Sequence, residues 1–388
     1  MNLNTIGIIC EYNPLHFGHL YHIKESKRLT GCENIVCIMS GSLVQRGEPA
    51  IFDKWDRARA AVDNGADLVI ELPAYYVVQS AEEYAFGAVK ILDRIGIVDG
   101  ISFGSECGDI DFLKKCARIT SCDENYKKIL KRELENGIGY PHACRAALMK
   151  CLQSEDDGFF APNNTLAICY ISAIEKMNSH MMLFTVKREN DYHGFDSCDG
   201  YLSATAIRKM ITGGVGINDY APDYSLADTY NVKNAESYIL GFLRNISACE
   251  LENAKGYEDG LANRIINAAR CSCTLEEFIK NSISKRYSIH RIKRCVLSAM
   301  LGVCEDLSPE YVRVLAFNQK GASLIKKIKT ASDYDVITKT ADAKRHPMLD
   351  IDIKATDFAA LCCNNINKRI AGRDFLTSPY VKKQPRSL

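Results

Sequence analysis

The opening of the chain constrains the fold more than anything that follows. Thr5-Ile6-Gly7-Ile8-Ile9-Cys10 is an apolar run with the length of a buried strand, and Glu11-Tyr12-Asn13-Pro14 breaks it. A helical pattern then opens near Gly18-His19 and runs on through His22, Ile23 and Lys27. A buried strand passing through a tight break into a helix is the first unit of a parallel sheet with helices on both faces. The crossing carries Pro14-Leu15-His16-Phe17-Gly18-His19, an H-x-G-H element at the carboxyl end of the strand.

That place suits an anion, because the unpaired amide donors of a first helical turn and the helix dipole both favour negative charge. Gly18 is expected to let the backbone come close to a ligand. His16 and His19 can donate hydrogen bonds to phosphoryl oxygens as charge develops on them. The chemistry implied is attack on the α-phosphate of a nucleoside triphosphate. Two histidines at this spacing also occur in ordinary turns; the order strand, breaker, motif, helix is what favours the phosphate site.

The alternation continues through the first half. Ile35-Val36-Cys37-Ile38-Met39 reads as a strand ended by Ser40-Gly41-Ser42, Asp53 to Asn64 as a helix, and Asp67 to Pro73 as a buried strand stopped by proline. Ala81 to Arg94 reads as a helix, Gly100 to Gly104 as a fourth strand and Met181 to Val186 as a fifth. Ligands of such sheets bind at the carboxyl ends of the strands, where the sequence puts H-x-G-H, Gly41-Ser42 and Gly104-Ser105. The more helical stretch Glu124 to Leu152 is expected to cover one side of the site. Thr212-Gly213-Gly214-Val215-Gly216 and the segment to Asp223 mark a boundary. They divide a sheet domain over 1–215 from a mainly helical, basic domain over 216–388.

Leu202-Ser203-Ala204-Thr205-Ala206-Ile207-Arg208 is the second constellation. Ser203 and Thr205 can cap the helix that starts there, and Arg208 can reach a triphosphate as a fixed cation. An S-x-T-x-x-R at a helix start would hold the β- and γ-phosphates opposite the histidines. Lys187-Arg188, after the fifth strand, adds positive charge at the same edge. Asn163, in Ala161-Pro162-Asn163-Asn164, can hydrogen-bond a base or ribose, although its spacing alone reads as a turn. Gln45-Arg46-Gly47-Glu48-Pro49 is expected to close over the site as a loop.

Hydrophobic content of 47% and charged content of 25% are those of a soluble globular protein, with no apolar run long enough for a membrane span. No leader pattern opens the chain, so a cytoplasmic protein is expected. The 17 cysteines include no C-x-x-C pair, which favours reduced, buried thiols over a structural zinc site. A net charge of +1 hides an asymmetry: Asn281 to Leu388 holds 20 Lys plus Arg against 10 Asp plus Glu. That basic third fits either a polyanionic partner such as RNA or a solvated charged face. Its densest cluster is Lys285, Arg286, Arg291, Lys293 and Arg294, with Tyr287 a candidate stacking platform for a base.

Together these stretches resemble the bacterial tRNA(Met) cytidine acetate ligases. The likeness is carried by Glu11 to His19, Met39 to Pro49, Asp67 to Pro73, Phe103 to Glu106 and Ser203 to Arg208. In the C-terminal part it is carried by Ser284 to Tyr287, Val312 to Asn318 and Asp374-Phe375, so that it spans nearly the whole chain. The resemblance implies a nucleotidyltransferase-like, Rossmann-type domain that joins acetate and ATP into acetyl-adenylate. The acetyl group then passes to N4 of the wobble cytidine of elongator tRNA(Met). The implied ATP-binding residues are Gly7, Ile8, Ile9, Cys10, Glu11, Tyr12, Asn13, Pro14, Leu15, His16, Phe17, Gly18, His19 and Leu20, with Gly104, Arg188 and Asn163 or its neighbour Asn164. Catalytic roles fall to His16, His19, Ser203, Thr205 and Arg208, with Mg²⁺ expected to be held by the nucleotide and water. Two other readings share the motifs: a pantothenate synthetase-like ligase or adenylyltransferase with a small-molecule acceptor, and an RNA-binding protein that senses ATP.

Overall fold

The computed structural model describes residues 3–154, 160–188, 202–258 and 260–383. Its strands in chain order are β1 (Thr5–Cys10), β2 (Asn34–Ser40), β3 (Leu43–Val44), β4 (Glu48–Pro49), β5 (Leu68–Leu72), β6 (Gly100–Ser105), β7 (Met182–Lys187), β8 (Tyr311–Phe317), β9 (Asp335–Ile337) and β10 (Tyr380–Val381). Eight form one sheet of order β10-β8-β5-β2-β1-β6-β7, with β9 beside β8, while β3 and β4 make a separate hairpin. From β5 across to β7 every pairing is parallel. The chain runs from β1 outward to β2 and β5, then returns to the other side of β1 for β6 and β7. The reversal leaves a crevice outside the carboxyl ends of β1 and β6, the position at which ligands of such sheets bind.

The central strands are buried on both faces, so their side chains divide by alternation between two cores. On β2, Val36 and Ile38 belong to one core while Ile35, Cys37 and Met39 belong to the other. Gly7 on β1 has a packing reason: a Cβ there would lie 2.8 Å from both δ-carbons of Leu92, on the helix Ala81–Arg94. The five expected strands of the first half and the helices over 53–64 and 81–94 are all present within a residue or two. The stretch Glu124 to Leu152 is two helices, Glu124–Glu135 and Tyr140–Leu152.

Beyond residue 216 the chain is mainly helical, as expected, and it also supplies three strands to the same sheet. β8 pairs antiparallel with β5, and β9 and β10 flank β8 in parallel. The sheet therefore continues across the boundary drawn at 215. A buried charge cluster fastens the two parts together. Lys54 Nζ, fully buried, lies 2.7 Å from Glu71 on β5 and 2.8 Å from Asp374. Arg313 on β8 reaches the same two carboxylates at 3.3 and 2.6 Å.

Candidate active site

α1 (Phe17–Thr30) begins at the crevice with His16 as its N-cap. The His16 Nδ1 accepts from the Gly18 N–H at 3.1 Å, and the His19 Nδ1 accepts from the His16 N–H at 3.3 Å. This capping box decides the tautomers. With both Nδ1 atoms acting as acceptors, the ring proton of each neutral histidine sits on Nε2, which makes each Nε2 a donor. The two rings pack with centroids 3.8 Å apart, and Tyr12 sets its ring edge-on to His19 at 5.1 Å.

Both imidazoles are held neutral. Burial, helped by the Arg188 and Arg208 guanidiniums, pushes His16 down to about 3. His19 lies well below the usual histidine value through burial, His16 and Arg188, and His22 falls to about 4 by burial and Arg188. Neutral imidazoles with protonated Nε2 atoms thus stand beside the Arg188 and Arg208 guanidiniums, a division suited to a phosphate chain. The shifts also bear on stability. As pH falls from 6.5 towards 3, the unfolded chain takes up protons at His16 that the folded chain refuses, so stability drops on acidification. Urea midpoints followed through this window are expected to fall, and to fall less steeply in a His22→Asn variant.

Gly18 also has a packing reason. Its missing Cβ would sit 2.9 Å from the His16 ring, so the glycine makes room for the capping imidazole. Gly104, at the end of β6, does the same for Arg188, whose Cδ would lie 3.3 Å from a Cβ there. Gly41 makes room for a carboxylate, since a Cβ there would collide with Glu71 Oε1. The asparagine pair braces the turn after β6. Asn163 donates from Nδ2 to Glu106 at 2.6 Å, and Asn164 Oδ1 accepts from the Glu106 and Cys107 N–H groups at 2.9 and 3.2 Å. Asn164 is the more buried of the two, and its Nδ2 has no hydrogen-bond partner among the described residues.

The second constellation arrives at the first. Ser203 caps the helix Ala204–Thr212 by accepting from the Ala206 N–H at 3.2 Å. Arg208, one turn on, donates to the Asn13 carbonyl at 2.7 Å and to the Thr205 hydroxyl at 3.1 Å. Groups 195 positions apart in sequence thereby share one loop. Asn13 in turn accepts from the Ile51 N–H at 2.7 Å.

Sequence reasoning missed one residue that shapes this loop. Arg57, on α2 (Lys54–Asp63), is fully buried and donates to the carbonyls of Phe52, Ser40, Glu11 and Gly41. It satisfies acceptors just past the carboxyl ends of β1 and β2, where no neighbouring strand can. Glu11 accepts from the Gln45 N–H at 2.7 Å, and burial raises its carboxyl above the usual range against the pull of Arg208, Arg57 and Arg46. An arginine amid an alanine-rich helix was the signal available for Arg57.

Gln45 to Pro49 is a packed hairpin and not a loose loop. On one side it meets Glu11; on the other it meets the basic helix Ile289–Leu301. His290 Nδ1 lies 3.2 Å from the Arg46 carbonyl, Arg294 donates to the Gln45 carbonyl at 3.1 Å, and Lys293 pairs with Glu48 at 3.0 Å. Gly47 has φ +78°, and a Cβ there would fall 2.6 Å from Lys293 Cβ and 2.8 Å from the Arg294 nitrogen. Gly47→Ala is expected to cost about 1–3 kcal/mol through both effects, read as a lowered urea midpoint.

Of the expected RNA face, Arg286 and Arg291 share Glu258 at 2.9 and 2.5 Å. Tyr287 is only 7% exposed, with both guanidiniums over its ring, so it offers no stacking platform. No group of three or more acidic, histidine or cysteine side chains suited to a metal occurs among the described residues. None of the described helices is long and apolar enough to cross a membrane.

A parallel sheet with neutral imidazoles and a guanidinium gathered at its switch point defines a nucleotide-binding protein of the H-x-G-H class. The sequence pattern of the HIGH Nucleotidyl Transferase family matches residues 3–374. A tRNA(Met) cytidine acetate ligase of Caldanaerobacter subterraneus is 39% identical, and one of Clostridium perfringens 37%, each alignment covering 98% of this chain and all of the relative. The crystal structure of Thermotoga maritima TmcAL bound with alpha-thio ATP superposes with a TM-score of 0.87 at 29% identity, covering 98% of this chain and 99% of that one. The chain belongs to the tRNA(Met) cytidine acetate ligase family of HIGH nucleotidyl transferases.

Proposed function

We propose that the protein activates acetate with ATP and transfers the acetyl group to N4 of the wobble cytidine of elongator tRNA(Met), giving N4-acetylcytidine. The observation that carries this is the meeting of the H-x-G-H loop and the S-x-T-x-x-R helix through the Arg208–Asn13 bond, in a chain that aligns end to end with ligases of that name. In the first step an acetate oxygen attacks the α-phosphorus, and the bond to the bridging oxygen breaks, releasing pyrophosphate. His16 and His19 donate from Nε2 to the phosphate oxygens, while Ser203, Thr205 and Arg208 hold the departing pyrophosphate. Gly7 to Leu20, Gly104 and Arg188 surround the nucleotide, and the Asn163-Asn164 pair fixes the turn against it. In the second step N4 attacks the acetyl carbon, the C–O bond to AMP breaks, AMP leaves with the electron pair, and the amine releases a proton.

Magnesium, where it takes part, comes with the triphosphate as part of the substrate, held by phosphate oxygens and water. Residues 1–215 supply the adenylating site and 216–388 the tRNA-facing surface, with Lys285, Arg286, Arg291 and Arg294 as its cations. A tRNA modification that consumes ATP belongs in the cytoplasm, away from membranes. Nucleoside analysis of tRNA incubated with the protein, ATP and labelled acetate tests the reading: label in N4-acetylcytidine is expected, and unlabelled tRNA would overturn it. Reversing Lys285 and Arg286 to glutamate is expected to leave acetate-dependent pyrophosphate exchange intact and to weaken tRNA retardation in a gel.

A further inference from the structure

A cleft of about 310 Å³ lies beside the adenylating site. One wall is a single face of the helix Ala204–Thr212, presenting Thr205, Arg208, Lys209 and Thr212 at positions i, i+3, i+4 and i+7. The opposite wall is the hairpin from Arg46 to Ile51, and Tyr230 to Val232 close the third side. Thr205 and Arg208 belong to this cleft and to the phosphate-facing constellation alike. The hairpin wall is the element whose far side carries His290, Lys293 and Arg294 of the basic helix. The cleft therefore stands between the place where an acyl-adenylate would form and the helix expected to meet a polyanion.

We propose that this cleft receives the acceptor nucleotide, a pyrimidine base turned out of its strand with the phosphates that flank it; the proposal rests on the ligase reading above. The volume falls at the small end of ligand sites, which fits one nucleotide rather than a length of helix. Arg46 and Lys209, on opposite walls, supply cations for phosphodiester oxygens. Glu48 lines the cleft with one carboxylate oxygen taken by Lys293 at 3.0 Å, and its second oxygen can accept from an exocyclic amine, the group that distinguishes cytosine from uracil, while Ile51 and Val232 offer apolar contact to the ring. Turning the base out of its stack presents N4 along the wall that the cleft shares with the adenylating site. The C–N bond forms there as the C–O bond to AMP breaks, with the amine proton released.

Filling the cleft tests this. Thr212 lines it, lies at the end of its helix and is exposed. Thr212→Trp is expected to keep acetate-dependent exchange of pyrophosphate into ATP within about twofold and to keep tRNA retardation in a gel, while acetyl transfer to tRNA falls about 100-fold, the scale of a misplaced reactant. Retained exchange also reports that the variant is folded. Thr212→Leu, which fills less, gives a smaller loss of transfer and serves where the tryptophan variant does not fold. Undiminished transfer in both variants would overturn the proposal, and so would an equal loss of exchange, which would give the space to the nucleotide tail. Absence of exchange in the unmodified protein would instead overturn the ligase reading itself.

Discussion

Replacing His19 with alanine is expected to lower acetate-dependent pyrophosphate exchange by about 10²–10³-fold, the usual cost of removing one oriented donor to a developing oxyanion. The His19 ring does two things in the structure. Its Nε2 carries the proton, because Nδ1 is committed to the His16 N–H, and its face packs against His16 with centroids 3.8 Å apart. Alanine removes the donor and also loosens the neighbouring imidazole, so the loss should exceed that of His16→Asn, which keeps a capping acceptor. Binding of tRNA should be unaffected, since the basic face lies on the other side of the hairpin. Exchange at the unmodified rate in His19→Ala would take histidine out of the phosphate chemistry.

Replacing Arg313 with methionine is expected to cost about 3–5 kcal/mol of stability, because it leaves a buried carboxylate without its partner. Glu71 is 3% exposed and Asp374 1%, and the two share Lys54 and Arg313. With one cation removed, two buried carboxylates face a single ammonium in a site that water does not reach. Asp352→Asn should cost far less. Burial and Glu71 raise the Asp352 carboxyl to about 7, so it is already half protonated near neutrality, with Tyr311 donating to it at 2.5 Å. The sign is opposite to that of the histidines: between pH 3.8 and 7 the folded chain holds a proton at Asp352 that the unfolded chain has lost, so this group adds stability on acidification. Urea titrations of the two variants at pH 7.5 and pH 5 separate these effects. Equal midpoints for Arg313→Met and the unmodified protein would show that the cluster does not fasten the sheet.

Much of the site was legible because its signals are local. A strand, a breaker and a helix start can be read from neighbouring residues, and the hydroxyl-guanidinium spacing of Ser203 to Arg208 fits one helical turn. The same locality could not show that a side chain at Gly18 or Gly104 would collide with His16 or Arg188. It missed β8, whose apolar Tyr-Val-Arg-Val-Leu-Ala-Phe run was hidden among helical segments and which is a strand through its pairing with distant β5 and with β9 and β10. Arg57 was invisible for a related reason. Its four carbonyl partners come from the ends of two strands and two loops, and no spacing in the sequence encodes such a gathering.

Composition and short-range pattern by themselves settled the α/β class and the leading strand and helix. Packing alone brought Arg208 onto the Asn13 carbonyl, placed the hairpin between Glu11 and the basic helix, and let a C-terminal strand complete an N-terminal sheet. The physical reason is range: helix starts and strand breaks are fixed by neighbours a few residues away, whereas a cleft or a charge cluster exists only once distant segments have excluded water from the space between them.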